Sequence, residues 1–187
     1  MKYYKSRENG RKTKAYTTWH NMVARCGAQP PYLDCTVTTE WLDFQEFAAW
    51  YYAQPNADKS GYTLDKDVLV KGNKVYGPET CCIIPDIINR LVSSGNTGKG
   101  KPKALNGHVS TSKDTEVLPF GVISTPQGYR SRLRYKGKDT LGEATGCPQV
   151  AHQDYRIAKT FLIHQVAHEY AEYLEADVLR VLSTWCL

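Results

Sequence analysis

The sequence predicts an α+β fold in two parts, and three stretches carry this prediction. Residues 62–91 read as strand, loop, strand and helix, because two β-rich runs separated by turn residues precede a proline that can open a helix. Residues 117–142 read as three short strands joined by turns. Between them, residues 94–116 are rich in Gly, Ser and Lys, which is typical of a linker.

Composition excludes a chain that is disordered throughout and indicates a polyanionic partner. Of the 187 residues 41% are hydrophobic, and the formal net charge is only +5. The positive charge is concentrated: residues 1–14 hold six Lys or Arg against Glu8, and residues 99–138 hold nine against Asp114 and Glu116. Such concentration favours a nucleic acid as partner.

No apolar run is long enough to span a membrane, and the N-terminus lacks the apolar segment of a secretory signal, so we expect a soluble intracellular protein. The six cysteines are too few and too irregular for a disulfide scaffold. No zinc is expected, because Cys81 and Cys82 are adjacent on a strand and point to opposite faces, so they do not share one tetrahedral ion with Cys26 and Cys35.

The first part is predicted to consist of a basic arm, residues 1–15, and a domain, residues 16–93. The arm lacks hydrophobic periodicity and is expected to be flexible, with Arg11 and Lys12 as candidate DNA contacts. A helix is predicted from about Thr17, a short strand at Leu33–Val37, and a second helix that Thr39 caps and that buries an aromatic face.

The ββα stretch follows. Its strands are predicted at Thr63–Val70 and Thr80–Ile84, with turns at residues 72–73 and 77–78, and Pro85 opens the helix. On a strand of this length Asp65 and Asp67 lie on one face and Lys66 on the other.

Several spaced motifs occur within residues 16–92: Trp19-His20-Asn21-Met22, Arg25-Cys26, Trp41, Phe44, Leu64-Asp65-Lys66-Asp67, Gly72-Asn73-Lys74, Tyr76, Glu79-Thr80-Cys81, Pro85 and Ile88-Asn89. With these motifs and their spacing, this part of the chain resembles phage-type HNH endonuclease-like proteins. In that family a strand histidine is the general base, and an acid with a helix residue holds a divalent metal.

Carried over, the resemblance implies that Asp65, Asp67 and Asn89 hold Mg²⁺ and that Asn73 lies in the active-site loop. Lys66 stands where the family has its histidine, and no histidine occurs between His20 and His108. A lysine beside two acids stays charged and is a poor base near neutral pH. Two interpretations are open here: an altered catalytic site that includes Lys66, or structural salt bridges.

The linker and the first strands of the second part hold the other candidate DNA contacts. Strands are predicted at Val117–Ser124, Tyr129–Tyr135 and 140–142. Arg130, Arg132 and Arg134 alternate and therefore share one face, an arrangement that fits phosphate groups and guanine edges. The basic residues expected to contribute with them are Lys136 and Lys138 in the sheet and Lys99, Lys101 and Lys103 in the linker.

A second set of motifs lies in the domain predicted at residues 117–187: Pro119-Phe120-Gly121-Val122, Tyr129-Arg130, Leu141-Gly142, Ala151-His152, Tyr155 and Ala158-Lys159. With these motifs, the stretch from residue 117 to about residue 170 resembles the AP2 DNA-binding domain. The likeness implies a three-stranded antiparallel sheet that packs on a helix from about Pro148 and enters the major groove of double-stranded DNA.

Together these features predict a double-stranded DNA-binding protein of the phage HNH/AP2 homing-endonuclease type, located in the cytoplasm of a bacterial host. It is either a Mg²⁺-dependent endonuclease or nickase, or a catalytically inactive DNA-binding protein. A third alternative is an accessory protein that binds a host defence protein through its acidic C-terminal face, with Leu174, Val178, Leu182 and Trp185 as contacts.

Overall fold

A computed structural model describes residues 3–93 and 118–187, and these form a mixed α+β protein. The helices are α1 (Lys14–Arg25), α2 (Phe44–Ala53), α3 (Asp86–Ser93), α4 (Pro148–Glu169) and α5 (Ala176–Ser183). The strands are β1 (Arg7–Glu8), β2 (Arg11–Lys12), β3 (Thr36–Val37), β4 (Tyr62–Asp65), β5 (Val75–Tyr76), β6 (Cys82–Pro85), β7 (Val122–Thr125), β8 (Gly128–Tyr135) and β9 (Lys138–Leu141). Short 3₁₀ turns lie at Pro30–Tyr32, Glu40–Leu42 and Ala171–Tyr173.

The chain divides into two compact units. The first unit comprises Met1–Leu91 with Val166–Thr184, and the second comprises Val92–Gln165 with Trp185–Leu187. Residues 117–187 were predicted to form one domain, whereas the segment Val166–Thr184 is grouped with the first unit. Within that unit, the amide of Asn56 donates to the carbonyl of Tyr173 at 3.0 Å.

The core of the first unit is aromatic, as the spacing of α2 predicted. Trp41, Phe47 and Tyr51 are at most 1% exposed, and the rings of Trp41 and Phe47 meet edge to face at 5.0 Å. Burying such rings contributes about 1.5–3 kcal/mol for each side chain. The predicted cap is wrong by four residues: the side chain of Asp43, not Thr39, accepts from the backbone N–H of Gln45 at the start of α2.

The N-terminal arm differs from its prediction. Residues 7–12 form an antiparallel hairpin, β1 with β2, in which Arg7 pairs with Lys12 and Glu8 with Arg11. Helix α1 begins at Lys14 rather than Thr17, because the hydroxyl of Thr13 accepts from the N–H of Tyr16 and caps the first turn. A flexible arm is therefore replaced by a hairpin joined directly to a capped helix.

The ββα stretch has the predicted order with shorter strands. Strand β4 pairs antiparallel with β6 from Tyr62 opposite Pro85 to Asp65 opposite Cys82, and α3 follows at once. Strand β3 is also shorter than predicted and pairs parallel with β5. These strands frame the loop at residues 66–74.

The second unit contains a three-stranded antiparallel sheet in the order β7-β8-β9. Strand β7 begins at Val122, because Gly121 at φ +78° interrupts the extended chain. Val117, where the strand was predicted to begin, lies outside the described residues. On α4 the buried residues Ala151, Tyr155, Lys159 and Ile163 form a stripe, and Ala158 and Leu162 are half-buried. The ring of Phe120, next to the sheet, meets that of Tyr155 at 5.5 Å.

Three of the four apolar C-terminal residues expected to form a protein-contact surface are packed inside the protein. Val178, Leu182 and Trp185 are at most 5% exposed, whereas Leu174 is half-buried. The three buried side chains stabilise the chain's own fold. Among the described helices, none has the length and apolar character that crossing a membrane requires.

Candidate nucleic-acid interface and the ββα unit

Asp65 ends strand β4 and turns the chain, which corrects the predicted strand Thr63–Val70. One carboxylate oxygen, Oδ1, accepts from the backbone N–H groups of Asp67 and Val68, each at 2.7 Å. An aspartate that bonds to the backbone two and three residues ahead forms a local turn in place of a ladder. The expectation that Asp65 and Asp67 share a strand face is therefore wrong.

The Asp65 side chain is buried, with 6% of the residue exposed. Burial raises the pKa of its carboxyl group above the usual value, and the two backbone hydrogen bonds act in the opposite direction. Because this carboxylate already satisfies two buried N–H groups, its position is explained by the turn that it holds.

Lys66 is also buried and its ammonium group is fully hydrogen-bonded. Nζ donates to both carboxylate oxygens of Asp67, at 2.7 and 2.8 Å, and to the carbonyl of Asn73 at 2.7 Å. An ammonium group has three donors, so all three are used. The ring of Tyr76 lies 5.8 Å from Nζ. The expectation that Lys66 faces away from both acids is wrong, because the turn at Asp65 brings it beside Asp67.

Asn73 closes the loop from the other end. Its amide nitrogen donates to the carbonyls of Lys66 and Val75, at 2.9 and 2.6 Å, and its oxygen accepts from the N–H of Val75 at 3.0 Å. Lys66, Asp67 and Asn73, predicted as catalytic neighbours, are thus brought together as a network whose members satisfy one another. Asn89 lies on α3 and is half-buried.

The residues predicted to hold Mg²⁺ fit that ion poorly. The Asp67 oxygens both accept from Lys66, and Oδ1 of Asp65 is committed to the turn. Within residues 3–93 and 118–187, no cluster of three or more His, Cys, Asp and Glu side chains is arranged to hold a metal ion. Burial raises the pKa of the Cys81 thiol to about 12.

The sheet of the second unit separates a buried face from an arginine face. Ser131 on β8 lies directly opposite Val122 on β7, and both residues are buried. Arg130, Arg132 and Arg134 alternate with Ser131 along β8 and lie on the other face. We call these three side chains, with their cross-strand neighbours on β7 and β9, the arginine face.

One carboxylate lies within the arginine face. Asp139, directly opposite Arg134, accepts from the guanidinium of Arg132 at 2.6 Å and lies 4.0 Å from Nε of Arg134. The hydrogen bond from Arg132 holds the pKa of Asp139 below its usual range. Asp139 was not predicted as a site residue, although the turn at residues 136–137 sets a register that places it between two arginines.

Arg130 differs from Arg132. Its Nε is shielded from solvent and lacks a hydrogen-bond acceptor among the described residues. A buried donor left unsatisfied costs about 1–3 kcal/mol.

The remaining predicted DNA contacts are dispersed. Lys136 has φ +47° in the β8–β9 turn, and its ammonium lies 5.1 Å from the ring of Tyr135, so it does not continue the arginine register. Lys138 is exposed on β9, and Arg11 and Lys12 are exposed on the hairpin. Lys99, Lys101 and Lys103 lie outside the described residues.

A second feature that the sequence did not reveal is the burial of Lys159 on α4. It is fully buried, and burial lowers its pKa to about 8. Its ammonium lies 5.8 Å from the ring of Tyr155 and 6.0 Å from that of Phe120. The sequence feature that could have revealed this burial is the spacing, because Lys159 follows the buried Tyr155 by four residues on the same helix.

Comparison of the chain with family models, with curated proteins and with solved structures finds no significant match.

Proposed function

We propose that this protein binds double-stranded DNA through the arginine face, and that its ββα unit is a structural scaffold. The observation that carries the proposal is the row of three arginines at alternate positions of β8, on the face opposite the buried Ser131. Like charges at this spacing repel one another, and only Asp139 offsets them within the sheet's described strands.

The chemistry of the row favours DNA as the ligand. Guanidinium groups are planar and donate in pairs, which suits phosphate oxygens and the O6 and N7 acceptors of guanine. Arg130 offers a shielded Nε without an acceptor, and the Arg134 side chain is 66% exposed. The Arg134 guanidinium is therefore available to a ligand, and the likeness of this region to AP2 domains points to the same partner.

The scaffold role rests on the Lys66 network. The position where the HNH nucleases carry their base is occupied by an ammonium whose three donors are all used. A general base needs a free lone pair directed at the water, whereas this nitrogen faces three acceptor oxygens. Asp65 and Asn73 in turn bond to backbone groups of their own loop. We therefore propose that DNA binding requires no metal ion.

Binding is tested by fluorescence anisotropy on a duplex in EDTA. Removing one protein–phosphate contact should reduce the slope of log Kobs against log [salt] by about 0.9. We expect Arg130→Ala/Arg134→Ala to weaken binding and to reduce the slope by up to about 1.8. The matched control Arg156→Ala/Arg180→Ala removes the same charge from two exposed helix positions and should bind as the wild type does. Equally weakened binding in both variants would contradict a specific role for the sheet.

The scaffold role is tested by incubation with supercoiled plasmid and Mg²⁺ or Mn²⁺. We expect no nicking above a buffer control, with duplex binding intact. Metal-dependent nicking that disappears in Asp67→Asn and Asn89→Ala would show that the ββα unit is catalytic, and this part of the proposal would then be wrong.

A further inference from the structure

The hairpin β1–β2 contributes nothing to the core of the first unit. All four of its strand residues are exposed. Asn9 and Gly10 form the turn with φ +49° and +76°, the double positive φ of the tight turn that suits the twist of paired strands. An isolated two-stranded hairpin is only marginally stable in water, so contacts outside the strands must hold it in place.

Those contacts are concentrated at the base of the hairpin. The backbone N–H of Tyr4 donates to the side-chain oxygen of Gln45 on α2 at 2.8 Å, and the Gln45 amide donates back to the Tyr4 carbonyl at 3.1 Å. The Tyr4 ring stacks on Tyr52, with centroids 5.4 Å apart. The N–H of Thr13 donates to the carbonyl of Ser6 at 3.0 Å, just before Thr13 caps α1. The base is fixed and the tip extends into solvent.

The contacts at the base of the hairpin do not account for the positive charges of Arg7 and Lys12. Arg7 and Lys12 are directly opposite and therefore on the same face. Like charges at directly opposite positions destabilise a strand pair. In the part of the chain that the structure describes, neither side chain forms a salt bridge: Arg7 donates to the carbonyl of Gly10, and the ammonium of Lys12 lies 5.5 Å from the ring of Tyr16.

We propose that this hairpin is a second DNA-contacting element, which enters the major groove of duplex DNA with Arg7 and Lys12 against the phosphates. The inference rests on the proposed function and adds a contact from the first unit. Duplex DNA is the occupant that fits, because the major groove is about 12 Å wide and admits a two-stranded ribbon, whereas the minor groove is only about 6 Å wide. Residues 6–12 contain no apolar side chain that would insert into a lipid surface.

The experiment compares the full chain with Arg7→Ser/Lys12→Ser on a duplex between about 50 and 200 mM NaCl. We expect the variant to bind more weakly and the salt slope to fall by about 1.8, the value for removal of two phosphate contacts. The matched control is Lys74→Ser/Arg180→Ser, which removes the same charge from side chains already paired with Asp34 and Asp177. It should keep the wild-type slope. Because Arg7 and Lys12 are exposed, both variants should keep the wild-type circular dichroism and melting temperature.

The possible outcomes separate this inference from the proposed function. If Arg7→Ser/Lys12→Ser keeps the wild-type affinity and slope while Arg130→Ala/Arg134→Ala no longer binds, the hairpin inference is wrong and the proposed function stands. If the wild type does not bind duplex DNA, both are wrong. Preference for a single strand, for RNA or for anionic vesicles over the duplex would also overturn the choice of occupant.

The assignment of the hairpin to the major groove is tested by comparing the wild type with Arg7→Ser/Lys12→Ser. Netropsin fills the minor groove of A·T-rich DNA, so the difference in affinity between wild type and Arg7→Ser/Lys12→Ser should persist in its presence. Disappearance of that difference would place the hairpin in the minor groove and contradict the major-groove assignment.

Discussion

Among single residues, Asp139 limits the positive charge that the arginine face presents. Its carboxylate accepts from Arg132 at 2.6 Å and lies 4.0 Å from Nε of Arg134. Replacing Asp139 with Asn removes the negative charge and keeps the size of the side chain. We expect tighter duplex binding and a salt slope steeper by up to about 0.9, because Arg132 becomes available to a phosphate.

The control for this variant is Asp177→Asn, which makes the same change of charge beside Arg180, 3.2 Å away on α5. Its binding should equal that of the wild type. Weaker binding by Asp139→Asn would show instead that Asp139 orients Arg132 for the DNA, so that its pairing is a requirement for binding.

Asp65 provides a test of whether a predicted catalytic carboxylate is structural. Asn can keep the oxygen that accepts from the N–H groups of Asp67 and Val68, whereas Ala leaves both without a partner. We expect Asp65→Ala to lower the free energy of unfolding by about 2–4 kcal/mol and Asp65→Asn by less than about 1 kcal/mol, measured by urea denaturation. Equal destabilisation by the two variants would mean that the charge matters more than the turn.

Lys159 gives the fold a pH dependence whose sign follows from its burial. Its pKa falls from 10.5 to about 8 on folding, so the unfolded chain binds more protons between these values. Stability should then rise with pH in this window. From about pH 8 to 9.5 we expect the free energy of unfolding of the wild type to rise relative to Lys159→Met by about 1–2 kcal/mol.

This comparison with Lys159→Met cancels the opposite contribution of Tyr155, whose pKa burial raises to about 12. A difference between wild type and variant that is independent of pH would mean that Lys159 keeps its ordinary pKa in the folded protein.

At the scale of elements, the contact between sheet and helix in the second unit depends on Gly121. A Cβ at this position would lie 2.3 Å from the ring of Tyr155, and φ is +78°. We expect Gly121→Ala to destabilise the second unit by about 2–5 kcal/mol, from backbone strain together with overpacking. Thermal unfolding followed by circular dichroism measures this effect.

The matched control is Gly137→Ala, which has φ +81° but no atom within 4 Å of the added Cβ. Strain alone should cost about 1 kcal/mol there. Equal effects at the two glycines would show that the close approach to Tyr155 does not limit the packing of α4.

The elements also show what the sequence could and could not predict. Residue periodicity identified α2 and the three strands of the second unit, because their apolar and polar positions repeat regularly. Strand β4 was predicted too long, since local propensity does not reveal that the Asp65 side chain bonds ahead to the backbone. The hairpin β1–β2 was missed, because its stability comes from contacts of Tyr4 with Gln45, 41 residues away.

The candidate site, like the fold, could be predicted only in part from the sequence. Alternation along β8 placed three arginines on one face, but the position of Asp139 depends on strand register, which the sequence does not state directly. The residues of the Lys66 loop were identified from the HNH resemblance. Their mutual hydrogen bonds, which indicate a structural role, follow only from the turn at Asp65.

For the molecule as a whole, the uneven distribution of charge is consistent with two DNA-contacting elements, one in each unit. The strand residues of the hairpin in the first unit are exposed and mostly basic. In the arginine face of the second unit, Arg134 is exposed and Arg130 and Arg132 are half-buried. The acidic C-terminal segment is grouped with the first unit, where Val178 and Leu182 anchor it. The proposed function therefore assigns structural support to the ββα unit and binding to other surfaces.

The most direct test of this assignment is an NMR titration of the full chain with duplex DNA in EDTA, which follows side-chain Nε–H signals of arginine and backbone amides together. We predict that the Nε–H signals of Arg130, Arg132 and Arg134 shift on binding, while the amides of the loop at residues 66–74 do not. Shifts confined to that loop, with the three arginine signals unchanged, would contradict the account.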